Sequence, residues 1–99
     1  MSKPRLTDEE IDRRISGLES WRREGDKLVA DFKFKSFVDA FSWMASIALV
    51  AEKLDHHPEW TNVYNRVHVE LITHDAGGIT DLDFNLAGRM SELARRYVA

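Results

Sequence analysis

The longest helix that the sequence predicts ends within residues 52–60, which read Glu52-Lys-Leu-Asp-His-His-Pro-Glu-Trp60. Proline disfavours the α conformation in the residue before it, so we expect His57 to mark the end of that helix. His56 and His57 would then lie at a helix C-terminus, where the negative end of the helix dipole favours a protonated imidazole. The carboxylates of Glu52 and Asp55 act in the same direction. Because histidine titrates near neutrality, this stretch can hold one cationic and one neutral ring and is a candidate catalytic site.

Other interpretations of these residues stay open on the sequence alone. The paired histidines could be solvated residues that cap the helix. They could also bind a metal together with Glu52 and Asp55, but adjacent histidines point in different directions, and neither an HExxH pattern nor a cysteine accompanies them. We therefore expect no metal. Trp60, taken alone, is more often a core residue than a stacking platform.

Length and composition limit the class of protein. The 99 residues suffice for a single domain over residues 1–99, with a modest core. A formal charge of −3 gives no basic surface, so we expect no nucleic-acid partner. The absence of cysteine excludes disulfides and fits a reducing compartment. No apolar leader or membrane-spanning run is visible, so we expect a cytoplasmic protein with no membrane contact. We also expect residues 1–6 to form a disordered tail.

Capping signals and hydrophobic periodicity predict three helices. The first follows the capping box Thr7-Asp-Glu-Glu10 and ends near Gly17. The second begins after Ser36 and runs to about Asp55. The third begins after Thr80 and carries apolar side chains at helical spacing, namely Leu82, Leu86, Met90, Leu93 and Tyr97.

Alternating side chains predict two pairs of strands. In residues 28–35 the apolar side chains Leu28, Ala30, Phe32 and Phe34 share one face, which indicates a hairpin with a preceding strand at Trp21. A short strand near Val63 and a long one from Val67 to His74 follow the histidine pair. His74 would thus end a strand beside residues 75–78, whose paired glycines permit positive φ.

The resulting order is α-β-β-α-β-β-α. Because no parallel crossover pattern is present, we predict an α+β fold in which three helices pack on one face of a four-stranded antiparallel sheet.

The second helix is apolar around most of its circumference. One stripe is formed by Phe37, Phe41, Met44 and Ala48, and another by Trp43, Ile47, Val50 and Leu54. Such a helix needs more cover than one sheet face provides. We therefore predict self-association, as a homodimer or homotetramer.

The run EKLDHHPEW at 52–60, followed by NVYNRVHVELITHD at 62–75 and AGGITDLDFNLA at 76–87, resembles the signature of the pterin-4a-carbinolamine dehydratases. The resemblance is tight from Phe32 to Leu93 and loose before Lys27. It implies the same fold and a dehydratase that needs no cofactor. The implied substrate is the 4a-hydroxytetrahydropterin produced by aromatic amino-acid hydroxylases, which loses water to give the quinonoid dihydropterin.

The resemblance also implies roles for individual residues. By position, His56, His57 and His74 match the three active-site histidines of the family. We expect His57 and His74 to act on the hydroxyl and the ring nitrogen, in either order, while His56 holds the pterin and Glu52 or Asp55 orients an imidazole. The residues expected to bind substrate are Glu52, Asp55, Trp60, Thr73, Asp75 and Asp83. For Trp60, support of the histidine loop is favoured over stacking on the pterin, and His68 is expected to be a plain strand residue.

A second function from another class has to be weighed against catalysis. Animal members of the resembled family double as dimerisation cofactors of a homeodomain transcription factor. In this chain the surface for such a non-catalytic interaction role would be the apolar helix of residues 37–55. The presence of all three histidines favours the dehydratase.

Overall fold

The computed structural model describes residues 3–97 and confirms the predicted order of elements. The helices are α1 (Asp8–Ile15), α2 (Phe37–Leu54) and α3 (Asp81–Ala94), and the strands are β1 (Trp21–Glu24), β2 (Lys27–Lys33), β3 (Glu59–Val63) and β4 (Arg66–Leu71). Two short 3-10 turns cover His74–Ala76 and Arg95–Tyr97.

The strands form one antiparallel sheet in the order β1-β2-β4-β3, as the α+β prediction required. The inner faces of the two central strands are buried, with side chains Leu28, Ala30, Phe32, Val67, Val69 and Leu71. The helices cover this inner face, and the outer face carries mostly charged side chains. Alternation in the sequence therefore predicted the two faces of the sheet correctly.

Helix α2 is held by its buried side, on which Trp43 and Ile47 are fully enclosed. The Trp43 ring lies 4.7 Å from that of Phe32, and its indole N–H donates to the carbonyl of Met90 on α3 at 3.0 Å. The opposite side of α2 is exposed and apolar. We call this surface the α2 outer face, and it consists of Phe37, Val38, Phe41 and Leu49.

The predicted strand from Val67 to His74 is too long. Strand β4 ends at Leu71, and Thr73 makes only an isolated bridge to Gly78. His74 then begins a 3-10 turn, which Gly77 closes at φ 71° while its N–H donates to the His74 carbonyl. The turn ends the ladder because the chain bonds to itself instead of to a neighbouring strand.

The N-terminal segment contacts the rest of the fold through Arg5 and Leu6. Met1 and Ser2 lie outside the described residues. Leu6 packs on the core and donates its N–H to Ile79 at 2.9 Å, while the Arg5 guanidinium donates to the Gly77 carbonyl. The expectation of a disordered tail is therefore wrong for Arg5 and Leu6, because both are bonded to the loop before α3.

Within residues 3–97, no helix combines the length and the apolar character that crossing a membrane requires.

Candidate active site

The two segments that carry the predicted histidines meet at one cavity of about 280 Å³. One segment follows α2 and the other follows β4, and α3 closes the remaining side. The lining consists of Asp55, His56, His57, Ile72, Thr73, His74, Asp75 and Leu82. A larger groove of about 590 Å³ lies between α2 and α3, but its lining has no histidine or carboxylate. The smaller cavity gathers three histidines with Asp55 and Asp75, so it is the better candidate for proton-transfer chemistry.

A left-handed residue at the end of α2 sets the directions of the paired histidines. Asp55 has φ 53° and ψ 43°, and its N–H donates to the carbonyls of Ala51 and Glu52. Aspartate tolerates this conformation better than most residues, so it can end the helix without glycine. The chain then passes through Pro58 into β3. As a result His56 points inward and is 8% exposed, whereas the His57 side chain is 59% exposed.

His56 is held by a buried carboxylate. Its Nε2 lies 2.6 Å from Oδ1 of Asp83, which is fully buried in the first turn of α3. The second oxygen of Asp83 accepts hydrogen bonds from the Thr73 hydroxyl at 2.8 Å and the Thr80 N–H at 2.9 Å. These partners satisfy an anion that would otherwise be costly to bury.

The Asp83 pair also fixes which His56 nitrogen is available to a ligand. An ionised Asp83 can only accept, so Nε2 of His56 carries the proton. Within residues 3–97, no buried side-chain nitrogen or oxygen lacks a partner, and Nδ1 of His56 has none, so Nδ1 is accessible to solvent. His56 therefore lines the cavity with one ring nitrogen held by Asp83 and the other accessible to solvent.

His57 is paired with a second carboxylate at the surface. Its Nε2 lies 2.8 Å from Oε1 of Glu52, in the last turn of α2. The pair is exposed, so it contributes little to stability. An acidic residue before the histidine pair thus contacts an imidazole, and its role in orienting that ring stays a prediction.

His74 lies opposite and is the most exposed of the three rings. Its Nε2 is 3.9 Å from Oε2 of Glu59, which is too long for a direct hydrogen bond. Each of the three imidazoles thus has a carboxylate neighbour, and the contacts lengthen from the buried His56 to the exposed His74.

His68 lies on the outer face of the sheet and does not line this cavity. Its two nitrogens contact Glu70 at 2.9 Å and Asp31 at 2.7 Å. Glu70 and then Asp31 raise the pKa of His68 above its ordinary value, and His68 and then Arg22 lower the pKa of Asp31. Since both ring nitrogens face carboxylates, these contacts favour the cationic form of His68, and the contact with Asp31 joins strand β4 to strand β2.

The structure brings most of the predicted residues together. Asp55, Thr73 and Asp75 line the cavity with the histidines, and Glu52 is joined to it through His57. Asp83 does not reach the lining, because His56, Thr73 and Thr80 enclose its carboxylate. Trp60 is not part of the lining either. It lies on β3 with its ring 6.0 Å from that of Trp43, a position that agrees with support of the loop.

Sequence reasoning missed Glu59, Ile72, Leu82 and the part played by Thr80. Glu59 stands in the quoted histidine motif, and strand alternation after Pro58 was a usable signal for its place on the outer face. The bond between Thr73 and Thr80 had no signal in the sequence, because it depends on the bridge at Gly78. Among the described residues no group of three or more His, Cys, Asp or Glu is arranged to hold a metal ion.

Fold and site together define a class of small α+β proteins in which imidazoles with carboxylate neighbours surround a shallow cavity. Residues 4–93 match the family model described as Pterin 4 alpha carbinolamine dehydratase, and the chain belongs to this family.

Relatives from Brucella ovis and Brucella melitensis, both named "Putative pterin-4-alpha-carbinolamine dehydratase", are 46% identical over 96 residues. These matches cover 95% of this chain and 99% of each relative. A Brucella melitensis crystal structure titled as a transcriptional coactivator/pterin dehydratase superposes with a TM-score of 0.89 at 47% identity, covering 91% of this chain and 98% of that one.

A pterin dehydratase-like protein identified as a RuBisCO assembly factor in the alpha-carboxysome is 24% identical, with a TM-score of 0.66. That match covers 77% of this chain and 90% of the other, and at this identity it supports the fold alone.

Proposed function

We propose that this protein eliminates water from 4a-hydroxytetrahydropterin to give the quinonoid dihydropterin, by acid–base catalysis from histidine. The observation that carries the proposal is the convergence of His56, His57 and His74 on one cavity in a member of the dehydratase family.

The chemistry requires two proton transfers. The carbinolamine carries a hydroxyl and an amine nitrogen on one carbon. A cationic imidazole donates a proton to the hydroxyl, the C–O bond breaks and water leaves. A neutral imidazole removes the proton from the ring nitrogen, and a C=N bond forms. Each transfer contributes roughly 10²- to 10⁴-fold when the group titrates near the working pH, as imidazole does.

The different exposures of the three rings support different catalytic roles for them. His57 and His74 are exposed at the cavity and can exchange protons with water after each turnover, so we assign them to the two transfers. His56 is fixed by Asp83 and holds the pterin ring. Asp83 and Glu52 are then positioning residues for His56 and His57, while Asp55, Thr73 and Asp75 contact the substrate edge.

The substrate implies a reaction that supplies it. A 4a-hydroxytetrahydropterin is the product of aromatic amino-acid hydroxylation, so we propose a functional link to such a hydroxylase and a place in tetrahydropterin recycling. We propose the cytoplasm as the location, on the composition alone.

The α2 outer face supports self-association into a homodimer or homotetramer. Phe37 and Phe41 pack against each other, with ring centroids 6.0 Å apart, and are 47% and 58% exposed. Val38 and Leu49 extend this apolar surface and are 69% and 76% exposed. A second copy of the same face would bury it.

The test is turnover of freshly generated 4a-carbinolamine, followed as quinonoid dihydropterin absorbance in a stopped-flow instrument. EDTA is present throughout, so that adventitious metal does not contribute. We expect the rate to exceed the uncatalysed rate by orders of magnitude. A folded protein that gives only the uncatalysed rate would overturn the dehydratase.

The alternative is a non-catalytic interaction cofactor of a regulatory protein. It is favoured by the exposed apolar α2 outer face and by the similar Brucella melitensis protein, which is described as a transcriptional coactivator/pterin dehydratase. An inactive folded protein that captures a partner through this face, and loses it on Phe41→Glu, would support this alternative.

A further inference from the structure

A lysine and two carboxylates from three neighbouring strands form a line on the outer face of the sheet, and this line ends at His74. Lys27 on β2 contacts Glu70 on β4 at 2.8 Å and Glu59 on β3 at 3.4 Å. Glu59 in turn faces His74, with Oε2 at 3.9 Å from Nε2. None of these contacts is needed to explain the cavity itself.

The sheet register explains why Lys27 holds this place. Glu59 and Glu70 are directly opposite each other on β3 and β4, which would leave two like charges side by side. The ammonium group of Lys27 lies within reach of both. The pKa of Lys27 is raised by Glu70 and then by Glu59, so the ammonium persists at every pH at which the fold is tested. Glu59 is therefore a half-exposed carboxylate with a counter-charge 3.4 Å away.

The two oxygens of Glu59 face different cations. Oε1 faces Lys27 and Oε2 faces the His74 ring. A cationic His74 would be stabilised by this carboxylate, and Lys27 would weaken that stabilisation because it shares the same negative charge. A gap of 3.9 Å suits a bridging water or a contact that shortens when substrate occupies the cavity.

We propose that Glu59 is a positioning residue for His74, which sets the orientation and proton affinity of that ring, with Lys27 limiting the effect. The link to catalysis rests on the proposed dehydratase function, whereas the pairing of Glu59 with His74 does not.

Other charged groups also face His74. His56, His57 and Asp55 line the same cavity from the segment after α2, and Asp75 does so from the turn of His74 itself. Arg5 contacts the same loop through the Gly77 carbonyl. Among residues 3–97 the carboxylate that lies 3.9 Å from the His74 ring is that of Glu59.

The test is an NMR titration of the His74 ring protons in the free protein, which needs no substrate. Glu59→Gln removes the carboxylate charge, so the titration midpoint should move to lower pH. Lys27→Met removes the competing cation, so the midpoint should move to higher pH. These opposite signs would not arise from general loosening of the structure.

Matched controls carry the same changes away from this line of residues. Glu9→Gln on α1 and Lys33→Met on β2 should leave the His74 midpoint where it is in the wild type. The proposal is overturned if Glu59→Gln shifts the midpoint no more than Glu9→Gln does. It is equally overturned if Glu59→Gln and Lys27→Met shift the midpoint in the same direction.

Turnover then tests the catalytic part. Glu59→Gln should lower kcat several-fold with little change in KM, and its pH–rate profile should move in the same direction as the NMR midpoint. An unchanged kcat would overturn the catalytic part. A wild type without dehydratase activity would overturn the proposed function, and the titration would still decide whether Glu59 pairs with His74.

Discussion

At the residue scale, the pair of His56 and Asp83 distinguishes this site from a cluster of surface histidines. The two groups are 2.6 Å apart and almost fully enclosed, and two threonines complete the hydrogen bonding of the carboxylate. Enclosure restricts the motion of both side chains. It also makes substitution of either one costly, because the other would then be a buried group without its partner.

Asp83→Asn should therefore lower both stability and activity. The amide keeps the shape but loses the charge, and it leaves at least one of the three hydrogen bonds to the carboxylate broken or inverted. We expect the free energy of unfolding to fall by about 1–3 kcal/mol and kcat to fall at least tenfold. Urea unfolding and stopped-flow turnover measure the two effects. Asp12→Asn, an exposed change on α1, is the control, and equal behaviour of the two variants would contradict the role of Asp83.

His68 gives a prediction about pH. Its pKa in the folded state is raised above the ordinary 6.5 by Glu70 and then Asp31. The contribution of protonated His68 to the free energy of unfolding is therefore fully present below about pH 6.5. It is lost as the pH rises through the raised pKa of His68 in the folded state. Urea unfolding of His68→Gln should show a deficit against wild type that is largest near pH 5.5 and shrinks toward pH 9. A deficit that is independent of pH, or that grows with pH, would contradict the ion pairs of His68.

At the scale of elements, the helix starts could be predicted from the sequence, because a cap is a local interaction. Thr7, Ser36 and Thr80 each precede a helix and accept from its first turn, as the capping signals indicated. The end of α2 was predicted only approximately: the helix ends at Leu54 through the left-handed Asp55, whereas Pro58 restricts only His57, so the expectation that His57 marks the helix end is wrong. The end of β4 was not predictable, because it depends on a bridge between Thr73 and Gly78 that no local pattern encodes.

The caps also separate structural from functional effects. Ser36→Ala removes a cap far from the site in the chain and should lower the free energy of unfolding by about 1 kcal/mol without changing turnover. Thr80→Val removes a cap that also contacts the Thr73 hydroxyl at 2.8 Å, next to Asp83. It should lower stability further and reduce turnover as well. If both variants affected only stability, the threonines would have no part in holding His56.

At the scale of the whole molecule, the site joins parts of the chain that periodicity cannot place together. The family resemblance named His56, His57 and His74 from the sequence. Only the packing of α3 against α2 shows that Asp83 contacts His56 on the side away from the cavity. The same limit applies to Glu59, whose partner Lys27 lies two strands away in the sheet order. Local chemistry was readable from the sequence, whereas contacts between distant segments were not.

The assembly state is a second prediction at this scale. If the α2 outer face is an interface, sedimentation at micromolar concentration should show a dimer or tetramer, and Phe41→Glu should shift it toward monomer because a charge cannot be buried there without a partner. Ser16→Glu adds the same charge outside this face and should leave the mass unchanged. A wild type that is monomeric at this concentration would contradict the proposed self-association.

The most direct measurement is the rate of quinonoid dihydropterin formation for wild type, His74→Ala and the double variant His56→Ala/His57→Ala, with EDTA present. His68→Gln serves as the control, since this histidine lies outside the cavity. We predict that wild type and His68→Gln accelerate the dehydration to a similar extent. The other two variants should be slower by one to several orders of magnitude. Equal rates for all four folded proteins would contradict catalysis by the three histidines.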